Sequence, residues 1–189
     1  KYCELLLTQS TLMFQNIIYK TAMNNMHIII WFFPLLFIFH DFEEIILIKY
    51  WIQKNENHLL SIVPSRFIPV INHIKKISTA AFAFGVAEEY ILILIICIIS
   101  FLSNRYYLWI GCFIAFVLHM VAHIFQAIFI KKYVPALLTS LICIPISIAI
   151  LVNIWNSFSL LKIILYSVLS CFIMIGNLAL IHFLIKSTD

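Results

Sequence analysis

The sequence predicts an all-α fold, a polytopic transmembrane helical bundle, and three observations carry that prediction. The chain is 64% hydrophobic and only 11% charged over 189 residues, with a mean hydropathy of +1.08; an ordinary soluble domain carries about 25% charged residues. Five apolar stretches each reach the roughly 20 residues that a helix needs to cross a bilayer. Lysine and arginine gather in alternate gaps between those stretches, as orientation by positively charged loops requires. Such a chain makes one compact bundle and leaves no room for a separate soluble domain.

Met23 and Met26 stand just ahead of the first strong apolar run, so residues 1–22 read as an upstream or fragment segment and 23–189 as the bundle domain. The first span covers about 27–51, with Pro34 one to two turns before His40, where it kinks the helix or opens its backbone. Residues 53–78 are polar and basic (Lys54, Arg66, Lys75, Lys76) and contain two prolines, which reads as an extramembrane connection with a short interfacial helix. The second span, about 77–103, carries Glu88-Glu89 near its middle, three residues after Gly85. A turn at Asn104-Arg105 leads to the third span, about 106–130, with His119, His123 and Gln126, closed by Lys131-Lys132-Tyr133. The fourth, about 135–155, has no acid, base or histidine, and the fifth, about 160–185, holds Asn177 and His182.

The basic gaps lie after spans one and three, and Lys186 follows span five. This predicts five spans with the amino end outside and the carboxyl end cytoplasmic. The net charge of +4 sits at span ends, so it speaks for topology and against a nucleic-acid partner. Cys3, Cys97, Cys112, Cys143 and Cys171 are scattered singly with no CxxC pair, which suggests small buried hydrophobes and neither a thiolate metal site nor a disulfide framework.

The anomaly is His40-Asp41-Phe42-Glu43-Glu44, set inside the first apolar run. One charged residue at a helix centre costs roughly 2.5–3.5 kcal/mol on insertion scales, and five of the eight acids fall within spans: Asp41, Glu43, Glu44, Glu88 and Glu89. At about 1.5 Å rise per residue, His40, Glu44, Glu88, His119 and His123 all come to one layer between the midplane and the cytoplasmic face. His40, Glu43 and Glu44 share a helical face, with Asp41 turned away; His119 and His123 are i and i+4, with Gln126 continuing their face. Glu88 and Glu89 are about 100° apart, so one of them points inward, and Glu88 is the expected one. No intramembrane lysine or arginine can pair these acids. Protonation, hydrogen bonding to the histidines, or a bound divalent cation could each offset their cost, and the cation supplies the missing charge directly. The expected metal ligands are His40, Glu43, Glu44, Glu88, His119 and His123. Mixed imidazole and carboxylate ligation suits zinc, iron or manganese, and the ligand count allows one ion or two.

The order H-x-x-E-E in an apolar first helix resembles a bacterial family of small membrane proteins, the HXXEE-domain family: His40, Glu43 and Glu44 match its naming motif, and the likeness extends loosely over residues 23–186. The resemblance implies an integral protein of a bacterial cytoplasmic membrane and supports a site without supplying a reaction. The residues themselves suggest a metal-dependent enzyme acting on a lipid or other membrane-dissolved substrate. In a hydrolytic version the metal acidifies a bound water and Glu43 or Glu44 acts as general base; a di-iron oxidative version ranks just behind. The alternative from another class is a proton- or metal-coupled transporter using the same carboxylates.

Overall fold

The computed structural model describes residues 25–186, with side chains through residue 177; the segment 1–22 and the His182 side chain therefore lie outside the described residues. A helical segment over 25–29 ends in a turn at residues 30–31. Helix α1 then runs Phe32–Ile62, α2 Ile68–Lys76, α3 Thr79–Ser103, α4 Tyr107–Ile130, α5 Leu137–Ile154 and α6 Leu160–Lys186, with single 3-10 turns at Ser65–Phe67 and Trp155–Ser157. Among the described residues, four segments are long and apolar enough to cross a membrane: Thr79–Ser103, Tyr107–Ile130, Leu137–Ser157 and Leu160–Asn177. The molecule is an all-α, polytopic membrane bundle.

Pro34 explains the break before α1. Its nitrogen has no hydrogen to give the Ile30 carbonyl one turn earlier. The indole Nε1 of Trp109 donates to that carbonyl instead at 3.1 Å, and the Cys97 thiol approaches it at 3.4 Å. The proline thus opens the backbone where the sequence suggests, and α4 fills the gap.

The connection after the first apolar run differs from expectation. Helix α1 does not end near residue 51 but continues to Ile62, because nothing in Gln53–Ile62 breaks a helix before Pro64. Val63 takes the extended backbone that a residue before proline prefers (φ −83°, ψ 131°). The extension is held by polar contacts. His58 Nε2 lies 2.9 Å from the Ile130 carbonyl at the end of α4, and Lys132 Nζ donates to Asn55 Oδ1 at 2.9 Å. Lys75 on α2 pairs with Glu56 at 2.6 Å. Lys49 Nζ donates to the Lys75 and Ile77 carbonyls at 2.6 and 2.8 Å, which satisfies carbonyls at the end of α2.

Helix α4 is the axis of the bundle, packing against α1, α3, α5 and α6. Its opposite end is fixed by aromatic contacts: Trp109 stacks on Phe113 with centroids 5.0 Å apart, and Phe33 packs edge-on to Phe113 at 5.3 Å. His27 Nε2, just ahead of α1, lies 2.9 Å from Asn104 Oδ1, just beyond α3. Small residues let α4 and α6 approach closely: a Cβ on Gly111 would fall on the Tyr166 carbonyl and 2.6 Å from Ser170 Oγ.

Candidate metal centre

Helices α1 and α4 build the centre between them. His119 and His123 lie one turn apart on α4, and α1 lays His40 across them. The His40 ring centroid is 5.3 Å from that of His119 and 5.2 Å from that of His123; the latter two are 4.6 Å apart. One ligating nitrogen from each ring falls within 4.8 Å of the others. His119 Nε2 and His123 Nε2 stand 3.1 Å apart, so one must carry a proton if the other is to accept it. His40 Nε2 and His123 Nδ1 are buried with no hydrogen-bond partner among the described residues. Buried polar atoms left unpaired are costly. Three imidazoles converging with unpaired nitrogens suit a divalent cation.

Thr139 of α5 orients the first of these rings. Its hydroxyl lies 3.3 Å from the Ala136 carbonyl and 3.5 Å from the His40 carbonyl, so it has backbone acceptors for its own proton. The oxygen is then free to accept from His40 Nδ1 at 3.3 Å. With the proton on Nδ1, the Nε2 lone pair is left buried and without a donor among the described residues. A ligating histidine held through its second nitrogen is how metal sites fix ring and tautomer.

Glu43 is placed elsewhere. Its carboxylate accepts from the Thr139 backbone N–H at 2.8 Å and from the Tyr133 hydroxyl, so it sits at the amino end of α5, where free N–H groups and the helix dipole favour an anion. Partial burial of the Tyr133 hydroxyl, together with the neighbouring Glu43 carboxylate, pushes its pKa up to about 12, so it remains a donor at neutral pH. The chain enters α5 through Ala136 in the left-handed region (φ 64°), a conformation that disfavours a Cβ. The Ala136 carbonyl is held by the Ser140 N–H at 3.0 Å and the Ser140 hydroxyl at 2.6 Å.

A second cluster adjoins the histidines. Ligand atoms of Asp41, Glu44 and His119 also lie within 4.8 Å of one another, and Glu44 Oε2 is 4.0 Å from His123 Nε2. Asp41, Glu44, Glu89 and His119 line a cavity of about 500 Å³ whose other walls are largely apolar, among them Phe37, Val86 and Phe116. Glu88 is not among the residues that line this cavity; it accepts from Asn177 Nδ2 of α6 at 2.6 Å. Gln126 is exposed on α4.

Of the sequence-expected ligands, then, the structure brings together His40, His119, His123 and Glu44. It places Glu43 against α5 and Glu88 against α6, and neither belongs to a cluster of metal-ligating side chains among the described residues. Asp41 and Glu89 take the inward positions instead. Together the residues make an intramembrane His/Glu/Asp cluster capable of coordinating a metal ion.

The family described as "Protein of unknown function with HXXEE motif" matches residues 31–150. The chain belongs to the HXXEE family. The match takes in α1 through most of α5, and so contains both clusters, Thr139 and Glu89. The motif that names the HXXEE family thus divides in space: its histidine and second glutamate meet the α4 histidines, while its first glutamate holds the start of α5. No curated protein and no solved structure matches the chain.

Thr139 carries no sequence signal as a site residue, since hydroxyls are common in apolar helices. Asp41 and Glu89 each stand beside the residue expected to face inward, and adjacency on a helix gives no means of choosing between neighbours.

Proposed function

We propose that the protein is a metal-dependent integral membrane enzyme acting on a lipid or other membrane-dissolved substrate, with hydrolysis ahead of di-iron oxidation. The observation that carries this reading is the convergence of His40, His119 and His123 with His40 Nε2 buried and unpaired. In this reading the three imidazoles would hold the ion, which when bound would acidify a water molecule. Glu44 is the better general base of the two motif glutamates: its carboxylate lies beside the histidines, whereas that of Glu43 is engaged by α5. The apolar cavity beside the cluster supports a substrate drawn from the bilayer, since such a lining excludes water and accepts hydrocarbon.

The reading includes five spans, with α1 as the first, the amino end outside and the carboxyl end in the cytoplasm of a bacterial cell. It is supported by the basic side of the bundle, where Lys49, Lys75, Lys76, Lys131 and Lys132 gather around α2 and the ends of α1 and α4.

Elemental analysis of protein purified in detergent without chelators tests the proposal. A first-row metal is expected at stoichiometric level in the wild type and lost in His40→Ala and His119→Ala. Metal-free wild-type protein would overturn it. That result would favour the transport reading, for which the three carboxylates lining the cavity are the motivating feature; proton or cation flux into proteoliposomes would then be the assay.

A further inference from the structure

We infer that the centre is dinuclear, with a second divalent cation held on the cavity side by Asp41 and Glu44, beside the ion at the three histidines. The inference rests on the metal-dependent reading above and deepens it. Three observations carry it beyond a single ion at the histidines.

The first is ligand geometry. The three-histidine cluster and the Asp41–Glu44–His119 cluster are separate sets that share only His119, each tight enough for one ion. Glu44 also reaches toward the first set, with Oε2 4.0 Å from His123 Nε2. A carboxylate has two oxygens, so Glu44 could hold the second ion through one of them and keep the other beside the histidines as the base.

The second is an unpaired acid. Asp41 is only 5% exposed, and its Oδ2 has no hydrogen-bond partner among the described residues. Asp41 lines the cavity together with Glu44. A buried carboxylate oxygen with no donor is an unstable placement unless a cation or proton meets it.

The third is charge. Glu89 adds a third carboxylate to the same cavity. Among the described residues no lysine or arginine pairs with Asp41, Glu44 or Glu89; Lys49, the basic residue nearest in sequence, is committed to the carbonyls of Lys75 and Ile77. A single divalent ion leaves one of the three carboxylate charges unmatched. Two divalent ions are matched by those three carboxylates and one hydroxide. The oxygen-rich set favours a hard ion such as manganese at this position, as carboxylate ligands do.

The test is titration of metal-stripped, full-length protein in detergent with Mn²⁺, read by bound-metal stoichiometry and by electron paramagnetic resonance. The wild type is expected to bind two ions per chain with an exchange-coupled signal. Asp41→Asn, which keeps the side-chain shape, is expected to bind one ion and show the uncoupled signal of isolated Mn²⁺. Glu89→Gln is the second variant should Asp41→Asn fail to fold, and it is expected to weaken the second ion by about 10–100-fold. One ion in the wild type, lost in His40→Ala but unchanged in Asp41→Asn and Glu89→Gln, would overturn the dinuclear centre and leave the mononuclear enzyme standing. No bound ion at all would overturn both. Two coupled ions in a protein that cleaves or oxidises no lipid would uphold the centre and count against the enzymatic reading alone.

Discussion

At the scale of single residues, the centre depends on how each ring is held. Thr139→Val removes the acceptor for His40 Nδ1 but keeps the backbone N–H that Glu43 takes. It is expected to lower metal affinity about 10–100-fold with little change in thermal stability, as isothermal titration and thermal unfolding of the same preparation would show. Glu43→Gln is expected to do the reverse: unchanged metal content, but a lower Tm, because the charge at the amino end of α5 is worth about 0.3–1 kcal/mol or somewhat more when partly buried. Metal loss in Glu43→Gln would return that residue to the ligand set. The two outcomes separate residues that the sequence alone groups together. With about 100° between successive residues, Glu44 and Glu43 flank His40 on either side, and Asp41 lies beyond Glu44. An inward arc centred on His40 takes in Glu43; one centred on Glu44 takes in Asp41. Only the positions of α4 and α5 around α1 decide between them, and that is tertiary information. The pair of α4 histidines needed no such arbiter, since residues four apart face the same way on any helix.

Whole elements were legible where apolar length speaks for itself. Helices α3, α4 and α5 start and stop within a few residues of their expected bounds because Ser78, Asn104 and Lys131 mark real ends: Ser78 Oγ accepts the Ala81 N–H at 3.0 Å, and the other two take left-handed backbones at φ 54°. Helix α1 was harder to bound, since its polar half reads as a loop by composition while containing no breaker. Its length becomes clear only through the contacts that hold it to α2 and the end of α4. The α4–α6 contact has a sharper requirement. In Gly111→Ala the added methyl meets a backbone carbonyl of the neighbouring helix, which cannot rotate aside as a side chain could. A loss of about 1–3 kcal/mol is expected, the usual effect of overpacking, seen as a lower denaturation midpoint in detergent. Gly176→Ala is the control, having nothing within 4 Å of its added Cβ, and it should leave that midpoint unchanged.

For the molecule as a whole, the central position of α4 has a consequence for how the chain is made. Synthesis delivers α1, with His40, Asp41 and Glu44, well before it delivers His119 and His123. At the roughly 2.5–3.5 kcal/mol that a charged residue costs in mid-bilayer, the newborn α1 is a poor passenger for the translocation machinery. Its partners are still inside the ribosome or not yet translated. In the five-span arrangement α1 is therefore expected to enter fully only when α4 arrives beside it. Insertion reporters fused after Ser103 and after Ile130 would record this. The shorter chain is expected to leave α1 accessible to aqueous reagents, and the longer one to protect it; equal protection in both would show that α1 settles without help. The histidine pair on α4 would then act twice in the life of the protein, first as the companion that lets an acidic helix come to rest and later as part of the mature centre.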